Sequence, residues 1–271
     1  MGLFDKLFGR GAGFEAREPA FAGDIYPAQP DELRDLVSKL LDGASTEASS
    51  STRALVVPHA AYGFAGETMA EAYATVRPEG FERVVVVGTS RLVPFRGLAL
   101  DDWEGFETPL GALRYRTDGF WDDAPESVRW MAAAFDPEES IEAQLPFIQH
   151  VVGEVELVPV LVGDASPEDV VEVLRWLVDD QTLVVVSTNL STDVVLERAG
   201  ELDAQTESAI VEGRADAISR HHSHGRVALR GLLEFASQHG WSAECLARSN
   251  SHEQGGGADS VVGYGAFALQ G

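Results

Sequence analysis

The sequence predicts an α/β fold: a single three-layer α/β/α domain with a mainly parallel sheet. Short runs rich in Val and Leu, such as RVVVVG (83–88) and TLVVVST (182–188), are apolar on both faces, as strands covered by helices on both sides must be. They alternate with segments whose apolar residues recur at helical spacing. No apolar run approaches the ~20 residues that span a bilayer. A chain of 271 residues is long enough to bury such runs in a core of its own.

In chain order, the opening MGLFDKLFGRGAGF sets Leu3, Phe4, Leu7 and Phe8 on one helical face beside Lys6 and Arg10. It lacks the long apolar segment and small-residue cleavage site of a signal peptide. Residues 1–16 therefore read as an N-terminal extension, a frayed turn rather than a docking helix, ahead of a domain over 17–271. PDELRDLVSKLL (30–41) is an amphipathic helix, and ALVVP (54–58) the first strand. Strands follow at 83–88, 97–100 and 155–162. The helix at 166–180 opens with Ser166 as N-cap, Pro167 in the first turn and Asp169 completing a capping-box-like start. A strand at 182–188 comes next, then a helix over 226–240 that stops on Gly240. Strands at 243–248 and 261–269 flank the loop SHEQGGGAD (251–259).

Composition narrows the function classes. Forty-four acidic residues face 20 basic ones, a net charge of −24, and only Lys6 and Lys39 are lysines. Such a field repels nucleic acid and anionic membranes. Acid dispersed over loops and helix faces, with almost no lysine, points to a protein adapted to concentrated salt, where self-repulsion is screened. The single cysteine, Cys245, excludes an internal disulfide framework and fits a reducing cytoplasm. A cytoplasmic protein without integral membrane contact is expected.

In open α/β sheets, ligands bind beyond the carboxyl ends of the strands, so those ends locate the candidate site. After 54–58 come His59 and Tyr62; after 83–88 come Thr89, Ser90 and Arg91; after 182–188 come Asn189, Ser191, Thr192 and Asp193. HHSHGR supplies His221, His222, His224 and Arg226, leading into the last long helix. FETPLG around Glu107, and DPEESIEAQLPF with Glu138, Glu139 and Glu142 opening a helix, are unusually polar for their apolar setting. The result is a polar pocket rather than a metal cage.

Taken in order, REPAFAGDIYPAQPDEL, VVPHAAYGFAG, FETPLG, ESIEAQLPF and VVGYGAFAL resemble the motifs of the Memo family, also known as protein B of the AmmeMemoRadiSam system. The resemblance covers the chain from about Arg17 onward. It implies the fold of class III extradiol dioxygenases, with iron or copper held in some members by histidines and a cysteine. Here His59 matches the first metal-site histidine. The second is Arg91 in Gly88-Thr89-Ser90-Arg91, and a further polar-site histidine is Glu139 in Glu138-Glu139-Ser140-Ile141-Glu142. An aspartate and a histidine are replaced in Thr188-Asn189-Leu190-Ser191-Thr192, and His224 stands where the family has a cysteine. Cys245 lies past that point in a strand-like segment.

A guanidinium has no lone pair to donate and brings positive charge to where a cation would sit. The expected protein is therefore a divergent Memo-like member with a degraded metal site and no cofactor. It is non-catalytic and binds a small anion or a protein partner through His59, Tyr62, Ser90, Arg91, Glu107, Glu139, Asn189, Thr192 and His224. Arg91 is expected to pair with Glu139 in place of the cation. The alternative is a non-haem, dioxygenase-like oxidoreductase holding iron or copper with His59, His224 and a carboxylate, Glu139 or Asp193. A metal-free hydrolase with His59 as base and Arg91 as oxyanion partner is a third reading, for which the sequence shows no nucleophile.

Overall fold

The computed structural model describes residues 15–115 and 123–271; the apolar face of the opening segment, residues 3–8, lies outside the described residues. In chain order come α1 (Pro30–Asp42), β1 (Thr52–Val57), α2 (Tyr62–Tyr73), β2 (Arg83–Thr89), β3 (Leu98–Leu100), β4 (Gly105–Thr108), β5 (Gly111–Arg114) and β6 (Val128–Trp130). Then follow α3 (Glu139–Glu142), α4 (Leu145–Val151), β7 (Glu156–Val162), α5 (Pro167–Leu177) and β8 (Thr182–Ser187). The last elements are α6 (Leu196–Val211), α7 (Arg226–His239), β9 (Ser242–Asn250) and β10 (Gly263–Gln270).

Eight strands form one sheet in the order β6-β3-β7-β2-β8-β1-β10-β9. The central four, β7, β2, β8 and β1, run parallel, and β10 and β9 close one side antiparallel. At the other side β3 is antiparallel to β7 and carries β6 parallel to it. The strand period of two puts alternate side chains on opposite faces. Leu55, Val57, Val84, Val86, Leu183 and Val185 pack under α1, α2 and α4. Their neighbours Val56, Val85, Val87, Val184 and Val186 pack under α5, α6 and α7. This is an α/β/α arrangement with a mainly parallel sheet.

All seven expected strands form, within two residues of their expected bounds. The start of α5 is closed by the reciprocal Ser166–Asp169 capping box, and α7 ends at Gly240 in the left-handed region with φ 71°. The helix expected over 166–180 stops at Leu177, because Val178 is already extended. Two helices without an expected counterpart have physical reasons for hiding. α2 is buried on nearly every side, so its sequence has no polar stripe. α6 buries Asp203 and Thr206 among its apolar contacts, which blurs the helical period. The glutamates at 138–142 do open a helix, but one of a single turn.

Candidate functional site

The four parallel strands end on one edge, and their register brings those ends level. Val57 of β1 pairs with Ser187 of β8, and Thr89 of β2 with Val162 of β7. The segments that leave these ends form the candidate site.

His59 lies two residues past β1 and is buried. Its backbone is clamped by Asn189: His59 N–H donates to Oδ1 at 2.9 Å, and Asn189 Nδ2 donates to the His59 carbonyl at 3.0 Å. Its ring belongs to a buried polar chain. Tyr73 Oη donates to Gln144 Oε1 at 3.0 Å, and Gln144 Nε2 donates to Pro58 O at 3.0 Å and to Ser187 Oγ at 2.9 Å. Ser187 Oγ stands 3.2 Å from His59 Nδ1. Ser187 Oγ thus accepts from Gln144 and faces Nδ1, which ties the imidazole into this chain. Burial first, then the positive charge of Arg91, push the His59 imidazole down to about 3; hydrogen bonding at Ser187 opposes this, and His224 adds to it. His59 is therefore neutral at ordinary pH, and Arg91 and His224 both lie within electrostatic reach of it.

Arg91 does pair with Glu139: Nη2 is 2.6 Å from Oε1. Behind that pair, Glu138 is 1% exposed, 3.8 Å from Arg91 Nε, and accepts from the backbone N–H groups of Arg91 and Ser140. One guanidinium thus faces two carboxylates. Close packing allows this: a Cβ on Gly88 would stand 2.3 Å from Ser140 Oγ, so glycine lets the start of α3, with Glu138 and Glu139, approach the end of β2.

On the other side of the β8 end, Thr188 Oγ1 and Ser223 Oγ are 2.6 Å apart, and both donate to the Asn189 carbonyl or to each other. Ser223 Oγ also accepts from Gly225 N at 3.0 Å. A Cβ on Gly225 would meet Thr188 Oγ1 at 2.3 Å, so this glycine lets α7 begin hard against the strand end. The latch holds His224 beside a cavity of 260 Å³ lined by Leu190, Thr192, Val194, Arg198, Leu202, Arg220, His221, Ser223 and His224.

Of the residues singled out in the sequence, His59, Arg91, Glu139, Asn189, Thr192 and His224 surround the ends of β1, β2 and β8. Tyr62 instead belongs to the core: it is 3% exposed, donates to Ala143 O at 2.8 Å, and packs on Tyr26 and Phe147. Ser90 Oγ closes a local turn onto Val93 O at 2.8 Å. Glu107 lies on β4, in a separate two-stranded hairpin rather than at an end of the main sheet. Cys245 sits on edge strand β9, and burial pushes its thiol up to about 11. Among the described residues, no three His, Cys, Asp or Glu side chains form a metal-holding group. Ser187 and Gln144 were not singled out, although each stands within two residues of one that was, and Glu138 was named only as a helix-opening acid; Arg198 and Arg220 come from α6 and the loop before α7, and only the tertiary fold brings them together.

A family model described as Memo-like protein matches residues 17–268. A MEMO1 family protein of Methanosarcina mazei is 28% identical over 273 residues, spanning 94% of this chain and 100% of that protein. A protein memo-1 homolog of Caenorhabditis elegans is 35% identical over 164 residues, 58% of this chain and 46% of its own. The solved structure of an uncharacterized protein from Escherichia coli K12 aligns with a TM-score of 0.48 at 13% identity, over 81% of this chain and 100% of that one.

Proposed function

The chain belongs to the Memo-like protein family, and we propose that it is a divergent, metal-independent and non-catalytic member whose strand-end pocket binds a small anionic ligand. The anion-binding half rests on the arginine-lined cavity past β8; the observation that carries the metal-independent half is the ion pair of Arg91 with Glu139 at 2.6 Å, backed by the buried Glu138. It supplies a positive charge, already fixed by two carboxylates, in the electrostatic neighbourhood of His59, where the family resemblance calls for a metal.

The donor set fits iron or copper poorly. Non-haem iron takes two imidazoles and a carboxylate, and here His59 and His224 are the two imidazoles. The carboxylate of Glu139 is engaged by Arg91, and that of Asp193 accepts from Ser260 Oγ at 3.1 Å. No feature of the pocket favours a protein partner over a small anion.

The test is elemental analysis of tag-free protein expressed with iron and copper supplied and purified without chelator. The expected metal content is far below stoichiometric. A full equivalent that disappears in His59→Ala would overturn the proposal and restore the oxidoreductase reading.

A further inference from the structure

The cavity beyond the end of β8 has a chemistry unlike the rest of the surface. In a chain with 44 acidic residues, no described Asp or Glu lines it, whereas two arginines and two histidines do. Arg220 makes no hydrogen bond or ion pair with any described residue. Among the described residues, Arg198 pairs only with Glu201, at 2.7 Å, and both side chains are more than half exposed. Such a pair contributes little and exchanges readily. The positive field is also felt next door: partial burial, then the charges of His221 and Arg198, lower the pKa of His222.

The backbone keeps a carboxylate out of this cavity. Thr192 and Val194 both line it, but Asp193 between them does not. Asp193 is the one described non-glycine residue at positive φ, 56°, and its side chain takes a hydrogen bond from Ser260 instead. Aspartate tolerates this left-handed region at modest cost. Leu190 and Leu202, both buried, and half-buried Val194 supply an apolar side for a carbon skeleton. At 260 Å³ the cavity falls below the ~300–1,000 Å³ of sites for larger ligands, which selects a compact molecule.

We propose that this cavity binds a compact organic polyanion, through charge-assisted hydrogen bonds from Arg220 and Arg198 to phosphoryl or carboxylate oxygens, with His221 and His224 at its edge. A guanidinium presents a planar fork of donors that matches either oxyanion. Arg91 is the weaker candidate, because an anion approaching it meets Glu138 and Glu139. The proposal rests on the anion-binding half of the functional reading above, and not on the absence of a metal.

The test is calorimetric titration of the full chain with inorganic phosphate and, separately, citrate, at constant ionic strength. Wild type is compared with Arg220→Gln and with Arg34→Gln, which removes the same charge from α1, outside the cavity. At least one anion should bind saturably, and Arg220→Gln should weaken it by about tenfold or more, about 1.4 kcal/mol, with Arg34→Gln unchanged. A response to phosphate alone identifies a phosphoryl ligand, and to citrate alone a polycarboxylate; either supports the site. No saturable binding, a wild-type response in Arg220→Gln, or equal weakening in both variants would overturn it. Elemental analysis of the same preparations separates the two ideas. Metal-loaded protein that still needs Arg220 for phosphate sinks only the metal-independent reading, whereas metal-free protein that binds neither anion sinks the cavity and the anion-binding half and leaves the metal-independent half standing.

Discussion

Neutralising Arg91 should raise the affinity of this protein for divalent metal. A cation bound at His59 would face the Arg91 guanidinium, whose side chain is 33% exposed. Partial exposure places the effective dielectric at about 40, between surface pairs and bulk water, and at ~5 Å a divalent ion and a unit charge then repel by about 3 kcal/mol. That is roughly a hundredfold in affinity. Arg91→Gln removes the repulsion and releases Glu139, so it should bind Zn²⁺ at least that much more tightly than wild type. Arg91→His adds a third imidazole and should bind tighter still. Arg91→Gln combined with Glu139→Gln removes both charges and should fall between wild type and Arg91→Gln. Competition of each protein for Zn²⁺ against a chromogenic chelator gives the order directly. Equal affinities for wild type and Arg91→Gln would mean that the guanidinium does not guard the His59 site, and the electrostatic argument would be lost.

Arg17 is bound through Nε and Nη2 to the fully buried carboxylate of Asp101, which also accepts from Tyr115 Oη. Arg17→Met leaves that charge buried and should cost about 3–5 kcal/mol in urea unfolding, with most of the loss recovered by adding Asp101→Asn; a double variant no better than the single one refutes this. Glu142 accepts from Ala20 N, Phe21 N and Tyr26 Oη, and burial raises its pKa above the ordinary 4.5. The folded state thus holds this proton more tightly than the unfolded one. Wild type should therefore gain stability relative to Glu142→Gln as pH falls from neutrality through the raised folded value towards 4.5. A pH-independent difference between the two melting temperatures counts against it. Melting temperature should also rise steeply from dilute buffer to molar potassium or sodium chloride, as the Debye length shrinks from ~30 to ~3 Å and screens a net charge of −24; a flat curve removes the salt-adaptation reading.

The sheet was legible because β2, β7 and β8 are buried on both faces and therefore read as unbroken Val and Leu runs. The hairpin of β4 and β5 was not, since strands of four residues show too little alternation to register. The pairing of Arg91 with Glu139 followed from the family resemblance, which implies histidines at both positions, and from their opposite charges in this chain. Tyr62 misleads because it directly follows the His59 loop in sequence. It is the first residue of α2, and the helix turns its ring back onto Phe147. Arg198 and Arg220 are 22 residues apart on elements that the strand-end rule does not reach, so their meeting depends on how α6 and the loop before α7 pack.

The charge of the whole chain and that of the cavity have opposite signs, and salt should separate them. For 271 residues the radius of gyration is roughly 19 Å, equivalent to a sphere of radius about 24 Å. With −24 charges spread over it, a dianion at the surface is repelled by about 5 kcal/mol at 0.01 M salt and about 2 kcal/mol at 0.1 M. Contacts to Arg198 and Arg220 at ~4 Å are much shorter than the ~10 Å Debye length at 0.1 M, so over the same range they lose only about 1 kcal/mol. Phosphate affinity should therefore rise about tenfold as salt increases from 0.01 to 0.1 M. It should then level off or fall towards 1 M, where a Debye length of ~3 Å screens the contacts too. The measurement is the phosphate dissociation constant across that series at fixed pH. An affinity that falls steadily from the lowest salt would mean that the anion senses a locally positive surface at long range. That result is incompatible with a cationic cavity set in an acidic shell.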